Sequence, residues 1–77
     1  MLTLRALKEN DSGVVSQIHA DGVFRERLQG MGVCPGNRVS IVRDGSPIVI
    51  EVCGGRVALA RDLAEQIELL ADEGDAI

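Results

Sequence analysis

The chain has 77 residues, of which 45% are hydrophobic and 26% charged, and its formal net charge is −4. This length predicts one small domain with a thin core, and the composition supports a globular fold without a disulfide framework. Arginines scattered among acidic residues exclude nucleic acid as an expected partner, because its binders usually carry a basic stripe. No apolar run approaches the roughly 18 residues of a membrane span, so no membrane insertion is expected. Two cysteines without CxxC spacing favour a reducing compartment, and a cytoplasmic protein is therefore expected.

The first third of the chain predicts two strands and a helix. Residues 2–7 predict a short strand that leads into a turn, and residues 14–20, VVSQIHA, predict a longer one. Asp21 is a candidate N-cap for the helix that follows. Apolar side chains then recur at helical spacing and predict an amphipathic helix of two to three turns whose stripe faces the core; they are Phe24, Leu28 and Met31.

The stretch RLQGMGVCPGNRV, residues 27–39, predicts the end of that helix and a turn. Gly32 suits the left-handed residue that ends a helix, which makes Val33 and Leu28 the contacting pair of a Schellman motif. Pro35-Gly36 suits the central positions of a type II turn flanked by Cys34 and Asn37.

Two hairpins are predicted next. Asp44-Gly45 is a strong two-residue turn signal, which would pair Ile41 with Ile48 and Arg38 with Glu51. Gly54-Gly55 predicts a second tight turn, which would pair Val52 with Val57. The result is a three-stranded meander with one apolar face.

The remaining residues complete the predicted domain. Residues 61–66 predict a helical turn and residues 67–70 a last strand, whereas the acidic residues 71–77 are expected to form a disordered tail after a single domain over 1–70. Short, closely spaced strands predict a mainly β fold: a small, partly open barrel of about five strands, with the helix after the first long strand.

Three consecutive segments of the chain together resemble a known family. RLQGMGVCPGNRVSIV, preceded by LRALKENDSGVVSQI and followed by PIVIEVCGGRVALARDLAEQIEL, resembles the signature of ferrous iron transport protein A (FeoA). The chain departs from the family pattern in its short loop RDGSP and at Ala60, where a basic residue is common. The resemblance implies an SH3-like barrel, related to the C-terminal domain of diphtheria-toxin-repressor-type regulators. It also implies a cytosolic protein that assists or regulates the membrane ferrous iron transporter FeoB.

Soft metal ligands are few. His19, Cys34 and Cys53 are the weak candidates, whereas a structural zinc site needs four ligands and a facial triad needs two histidines. We therefore expect no cofactor and no metal site within one chain, with two unpaired thiols and a surface histidine. An ion held by carboxylates or shared by two protomers stays open.

Catalysis and peptide binding are weakly supported. No nucleophile–base pair or P-loop spacing is present, so an enzyme is not expected. Proline-rich peptides bind aromatic-lined grooves. Phe24 is the only aromatic residue of the chain, so such a groove is not expected.

A protein–protein role for the helix and its corner remains. The residues of this predicted surface are an apolar set with a polar rim: Leu28, Met31, Val33, Arg25 and Arg27. They either close the open end of the barrel or leave an apolar patch for a partner, with Leu28 the residue to test. Two functions follow: an accessory protein that binds FeoB, or an autonomous domain that binds or senses ferrous or another divalent metal. A weak homo-oligomer is compatible with both, and the sequence does not distinguish activation from restraint of transport.

Overall fold

A computed structural model of the chain describes residues 2–71, with only the backbone of Ala71. Within this part of the chain, five strands and two helices occur, with the bounds β1 Ser12–Ile18, α1 Gly22–Gly30, β2 Arg38–Arg43, β3 Ile48–Val52, β4 Gly55–Leu59, α2 Arg61–Ala64 and β5 Ile67–Ala71. A 3₁₀ turn, Leu4–Ala6, precedes β1. The predicted tail lies outside the described residues, except for Ala71 at the end of β5.

The strands form one antiparallel sheet in the order β4-β3-β2-β1-β5. Among the described residues no pairing joins β4 to β5, so the sheet is not closed. α1 follows β1, and α2 is a single turn before β5. The predicted mainly β, partly open barrel with one longer helix and a short C-terminal helical turn is confirmed.

The core consists of aliphatic side chains on one face of the sheet. Alternate residues of β2 and β3 are buried, as the period of a strand requires. In β1, Val15 and Ile18 are both buried although they are three residues apart, because the pairing with β5 shifts between Val15 and Gln17 and a bulge inserts one extra residue. No described polar or charged residue is buried.

The predicted first strand is wrong. Leu4 lies in a 3₁₀ turn, and only Thr3 forms an isolated bridge, with Glu68 of β5. Residues three apart eclipse each other in a 3₁₀ turn. The turn therefore directs both Leu4 and Leu7 toward the core. Leu4 is buried there, and Leu7 packs against it.

The register of the first hairpin also differs from the prediction. Ile41 stands opposite Ile50 rather than Ile48, and Glu51 stands opposite Ser40 rather than Arg38. Pro47 has no N–H to donate to a ladder, so the loop spans residues 44–47 instead of Asp44-Gly45 alone.

The second hairpin turns one residue earlier than predicted. Val52 pairs with Gly55 and Ile50 with Val57, so Cys53 and Gly54 form the two-residue turn. Both have positive φ, 51° and 80°, as a type I′ turn requires. Gly55 is thus a strand residue, which corrects its assignment to the turn.

Candidate functional site

α1 is attached to the core through one side chain. Leu28 is 1% exposed and is the only buried residue of the helix. Val33, just beyond the helix, is also buried. This corrects the prediction that Leu28 and Val33 contribute to a docking surface, because neither side chain is accessible to a partner.

The end of α1 is a Schellman motif. Met31 is the C-cap residue, and Gly32 has a φ of 94°. The Gly32 amide donates to the Gln29 carbonyl (3.0 Å) and the Val33 amide to the Leu28 carbonyl (2.8 Å), which are the two bonds of that motif. Burial of Leu28 and Val33 in one cluster supplies its hydrophobic contact.

The turn after this motif carries the chain into β2. Gly36 has a φ of 96°, and the Asn37 amide donates to the Cys34 carbonyl at 3.1 Å. A positive φ at the third position together with this bond is typical of a type II turn, with Pro35 at the second position.

An exposed apolar patch lies beside Leu28 on α1. Val23 is 67% exposed, Phe24 52% and Met31 42%, whereas the sequence pattern predicts that Phe24 and Met31 face the core. Arg27 lies one helical turn from both Val23 and Met31, since residues four apart share a helix face. We call these four residues, Val23, Phe24, Arg27 and Met31, the α1 patch.

Arg25 lies on another side of the helix. At 100° per residue it is turned well away from Arg27, and its Nη2 donates to the Ile18 carbonyl at 3.1 Å. Its side chain therefore fixes the helix to the end of β1. Asp21 occupies the N-cap position with extended backbone, but its side chain makes no capping hydrogen bond, so only the position matches the prediction.

The two cysteines meet at one corner of the molecule. Asn37 Nδ2 lies 3.2 Å from Cys34 Sγ and 3.6 Å from Cys53 Sγ, and it donates to the Gly32 carbonyl at 2.8 Å. An ideal Cβ placed on Gly32 would lie 2.8 Å from Cys53 Sγ, so the thiol of Cys53 packs directly over Gly32. We call Gly32, Cys34, Asn37 and Cys53 the thiol corner. Both thiols are free, Cys34 half-buried and Cys53 exposed.

The hydrogen bonds of His19 are made to residues in and beside β5, and none of them reaches the thiol corner. Its Nε2 lies 2.9 Å from Glu68 Oε1, and its amide donates to the Gln66 carbonyl beside β5. The three weak metal candidates therefore do not converge. Over residues 2–71, no group of three or more His, Cys, Asp or Glu side chains is arranged to hold a metal ion.

The Asp44-Gly45 segment in the loop of the first hairpin is hydrogen-bonded to Arg61 of α2. Arg61 Nη1 donates to Asp44 Oδ1 at 3.0 Å and to the Gly45 carbonyl at 2.9 Å. The side chain of Arg61 therefore ties α2 to the loop of the first hairpin.

Sequence reasoning missed Asn37 and Val23. The first and fourth residues of a β-turn lie close together, so the turn prediction already places Asn37 near Cys34. The approach of Cys53 depends on how the helix end packs against the second hairpin, which no local pattern contains. Val23 was overlooked because it lies off the Phe24–Leu28–Met31 stripe.

Comparisons with known proteins agree with this architecture. The FeoA domain model matches residues 2–70. A Methanocaldococcus jannaschii protein described as Fe(2+) transport protein A is 31% identical over 68 residues, covering 87% of this chain and 83% of the relative. No helix within residues 2–71 has the length and apolarity needed to cross a membrane.

Solved structures show the same fold. The Chlorobium tepidum FeoA structure has a TM-score of 0.89 at 28% identity, covering 96% of this chain and 73% of that one. A Stenotrophomonas maltophilia FeoA, described as a prokaryotic SH3-domain protein complexed with zinc, has a TM-score of 0.76 at 27% identity and covers 91% of both chains. T. acidophilum IdeR shares the fold, with a TM-score of 0.84 at 19% identity over 92% of this chain and 34% of that one. The expected SH3-like fold is therefore confirmed, and the likeness to IdeR is one of fold.

Proposed function

The chain belongs to the FeoA family, and on this basis we propose that it is a small cytosolic accessory protein of ferrous iron uptake that binds the membrane transporter FeoB. The S. maltophilia relative is described as a candidate ferrous iron transport activating factor, which supports a regulatory role for this chain. The protein acts by binding and has no catalytic step of its own.

The exposed apolar face of α1 is the observation that carries this proposal. Phe24, the single aromatic residue of the chain, is half-exposed instead of buried, beside Val23 and Met31. Exposed apolar clusters on small domains often mark protein–protein contacts. Aromatic residues and methionine are enriched in such interfaces.

Arg27 sets the chemistry of the expected partner surface. Among the described residues, no ion pair is found for its side chain, and it lies between the exposed apolar residues Val23 and Met31. A complementary surface is apolar at its centre and carries a carboxylate opposite Arg27, because charges across interfaces are arranged to complement each other.

A binding measurement tests this proposal. The purified chain is titrated with the cytosolic portion of FeoB, with and without GTP, using wild type, Phe24→Gln, Met31→Gln and Leu70→Gln. We expect Phe24→Gln and Met31→Gln each to weaken binding by on the order of 10-fold, as loss of a central interface side chain does. Leu70→Gln is the matched control, because Leu70 is 59% exposed but lies on β5.

The outcomes separate the surface from the function. Wild-type binding by both patch variants would exclude the α1 patch, and absence of any wild-type binding would exclude the FeoB interaction. Leu28→Gln is unsuitable as a test, since losing a buried leucine side chain costs about 2–5 kcal/mol of folding free energy. Weaker uptake in that variant would reflect unfolding.

A further inference from the structure

Two thiols from distant parts of the sequence lie at the thiol corner. Cys34 belongs to the turn after α1, and Cys53 to the tip of the second hairpin. Both sulfur atoms lie within 3.6 Å of Asn37 Nδ2, so their separation is no greater than the sum of these two distances. They are the only cysteines of the chain, and no other thiol competes for a shared ligand.

The orientation of the Asn37 amide is fixed by its third contact. The Gly32 carbonyl can only accept a hydrogen bond, so the group 2.8 Å from it is the NH₂ group of Asn37. The same NH₂ group therefore faces both sulfur atoms. Hydrogen-bond donors that orient ligand atoms are typical of the surroundings of metal sites.

Gly32 leaves the space in which the second thiol lies. Any larger residue would place a Cβ 2.8 Å from Cys53 Sγ, which is closer than packed atoms come. Cys53 itself lies in the left-handed conformation, as the first central residue of the turn Cys53-Gly54. The two thiols are thus held by backbone elements as well as by Asn37.

We propose that Cys34 and Cys53 form a two-thiolate site for a soft monovalent cation of the Cu(I) class. Thiolates select soft ions such as Cu(I), and the described residues offer no third His, Cys, Asp or Glu ligand here, which disfavours the four-ligand geometry of structural zinc. Two metal–thiolate bonds of about 2.3 Å each, the length of a Zn–S bond, span a sulfur–sulfur separation that lies within the limit set by the two contacts of Asn37.

Binding converts two thiols into two thiolates and releases two protons per ion. No electron transfer is involved, since the ion is supplied as Cu(I). Affinity therefore falls as pH is lowered, because protons compete with the metal for the sulfur atoms.

Anaerobic titration of the reduced chain with Cu(I), in competition with a chromophoric Cu(I) chelator, tests the site. We expect one ion per chain, an ultraviolet thiolate-to-metal absorption, and loss of both in Cys34→Ser and in Cys53→Ser. Asn37→Ala should weaken binding by roughly 10- to 100-fold while the stoichiometry stays at one. His19→Ala, at a separate site, should bind like the wild type.

Three results would overturn the proposal: no competition with the chelator, binding retained in both serine variants, or one ion bridging two chains by native mass spectrometry. Circular dichroism of each variant verifies that the fold is intact. Iron uptake and FeoB binding are not readouts here, so failure of this site leaves the proposed transport role unaffected.

Discussion

Gly32 has two structural roles, one in its backbone and one in its missing side chain. Its φ of 94° ends α1, and its Cα lies against the thiol of Cys53. We expect Gly32→Ala to lower the free energy of unfolding by at least about 1–2 kcal/mol, because an L-residue is strained in the left-handed region and its Cβ also displaces the sulfur. Urea denaturation followed by circular dichroism measures this.

Gly30 supplies the matched control for that substitution. It lies two residues earlier, in the last turn of α1, and a Cβ there meets nothing within 4 Å. Gly30→Ala should therefore be neutral or raise stability by up to about 1 kcal/mol, by restricting the unfolded chain. Equal losses in the two variants would contradict the assignment of Gly32 as the helix-ending residue.

At the scale of elements, the second hairpin has a testable turn position. With Cys53 and Gly54 as its central residues, Gly54→Ala should cost about 1–2 kcal/mol, since Gly54 has a φ of 80°. Gly55→Ala should be nearly neutral, because Gly55 pairs with Val52 as a strand residue. The opposite order of stabilities in thermal unfolding would support a turn at Gly54-Gly55 instead.

The hairpin registers show which part of a sheet is predictable from sequence. The observed pairing differs from the predicted one by two residues at Ile41 of the first hairpin and throughout the second hairpin, and side chains alternate with a period of two. Ile41, Ile50 and Val52 therefore still face the core, although their partners differ from the prediction. Alternation specifies the buried face, whereas the partner of each residue depends on the turn, where Pro47 and Cys53 determine the outcome.

α1 shows why the site was harder to predict than the fold. The recurrence of apolar residues identified the helix and its buried Leu28, but it gave Phe24 and Met31 the same role. Leu28 alone among the residues of the helix reaches the core, and the flanking Phe24 and Met31 are exposed. That outcome depends on the position of the helix on the sheet, which is a tertiary property. The thiol corner was missed for the same reason.

Across the whole molecule, the strands of the sheet make many more contacts with the rest of the domain than α1 does. β1, β2 and β3 each pair with two neighbouring strands, and their inward side chains are buried. α1 is attached mainly through Leu28, the Schellman bonds and the contact from Arg25 to Ile18. Opening the helix exposes much less apolar surface than opening the sheet, so the two are expected to open with different free energies.

Native-state hydrogen exchange measures this difference. Amides within α1, such as that of Arg25, which donates to the Asp21 carbonyl, should exchange faster than the amide of Ile41, which lies in the buried centre of β2 and donates to the Asp11 carbonyl. Amides of β4, an edge strand with one neighbour, should fall between them. Equal protection of α1 and β2 would mean that the helix opens only when the whole domain unfolds. Faster exchange in α1 means that the α1 patch belongs to a local unit that can adjust to a partner while the sheet stays folded.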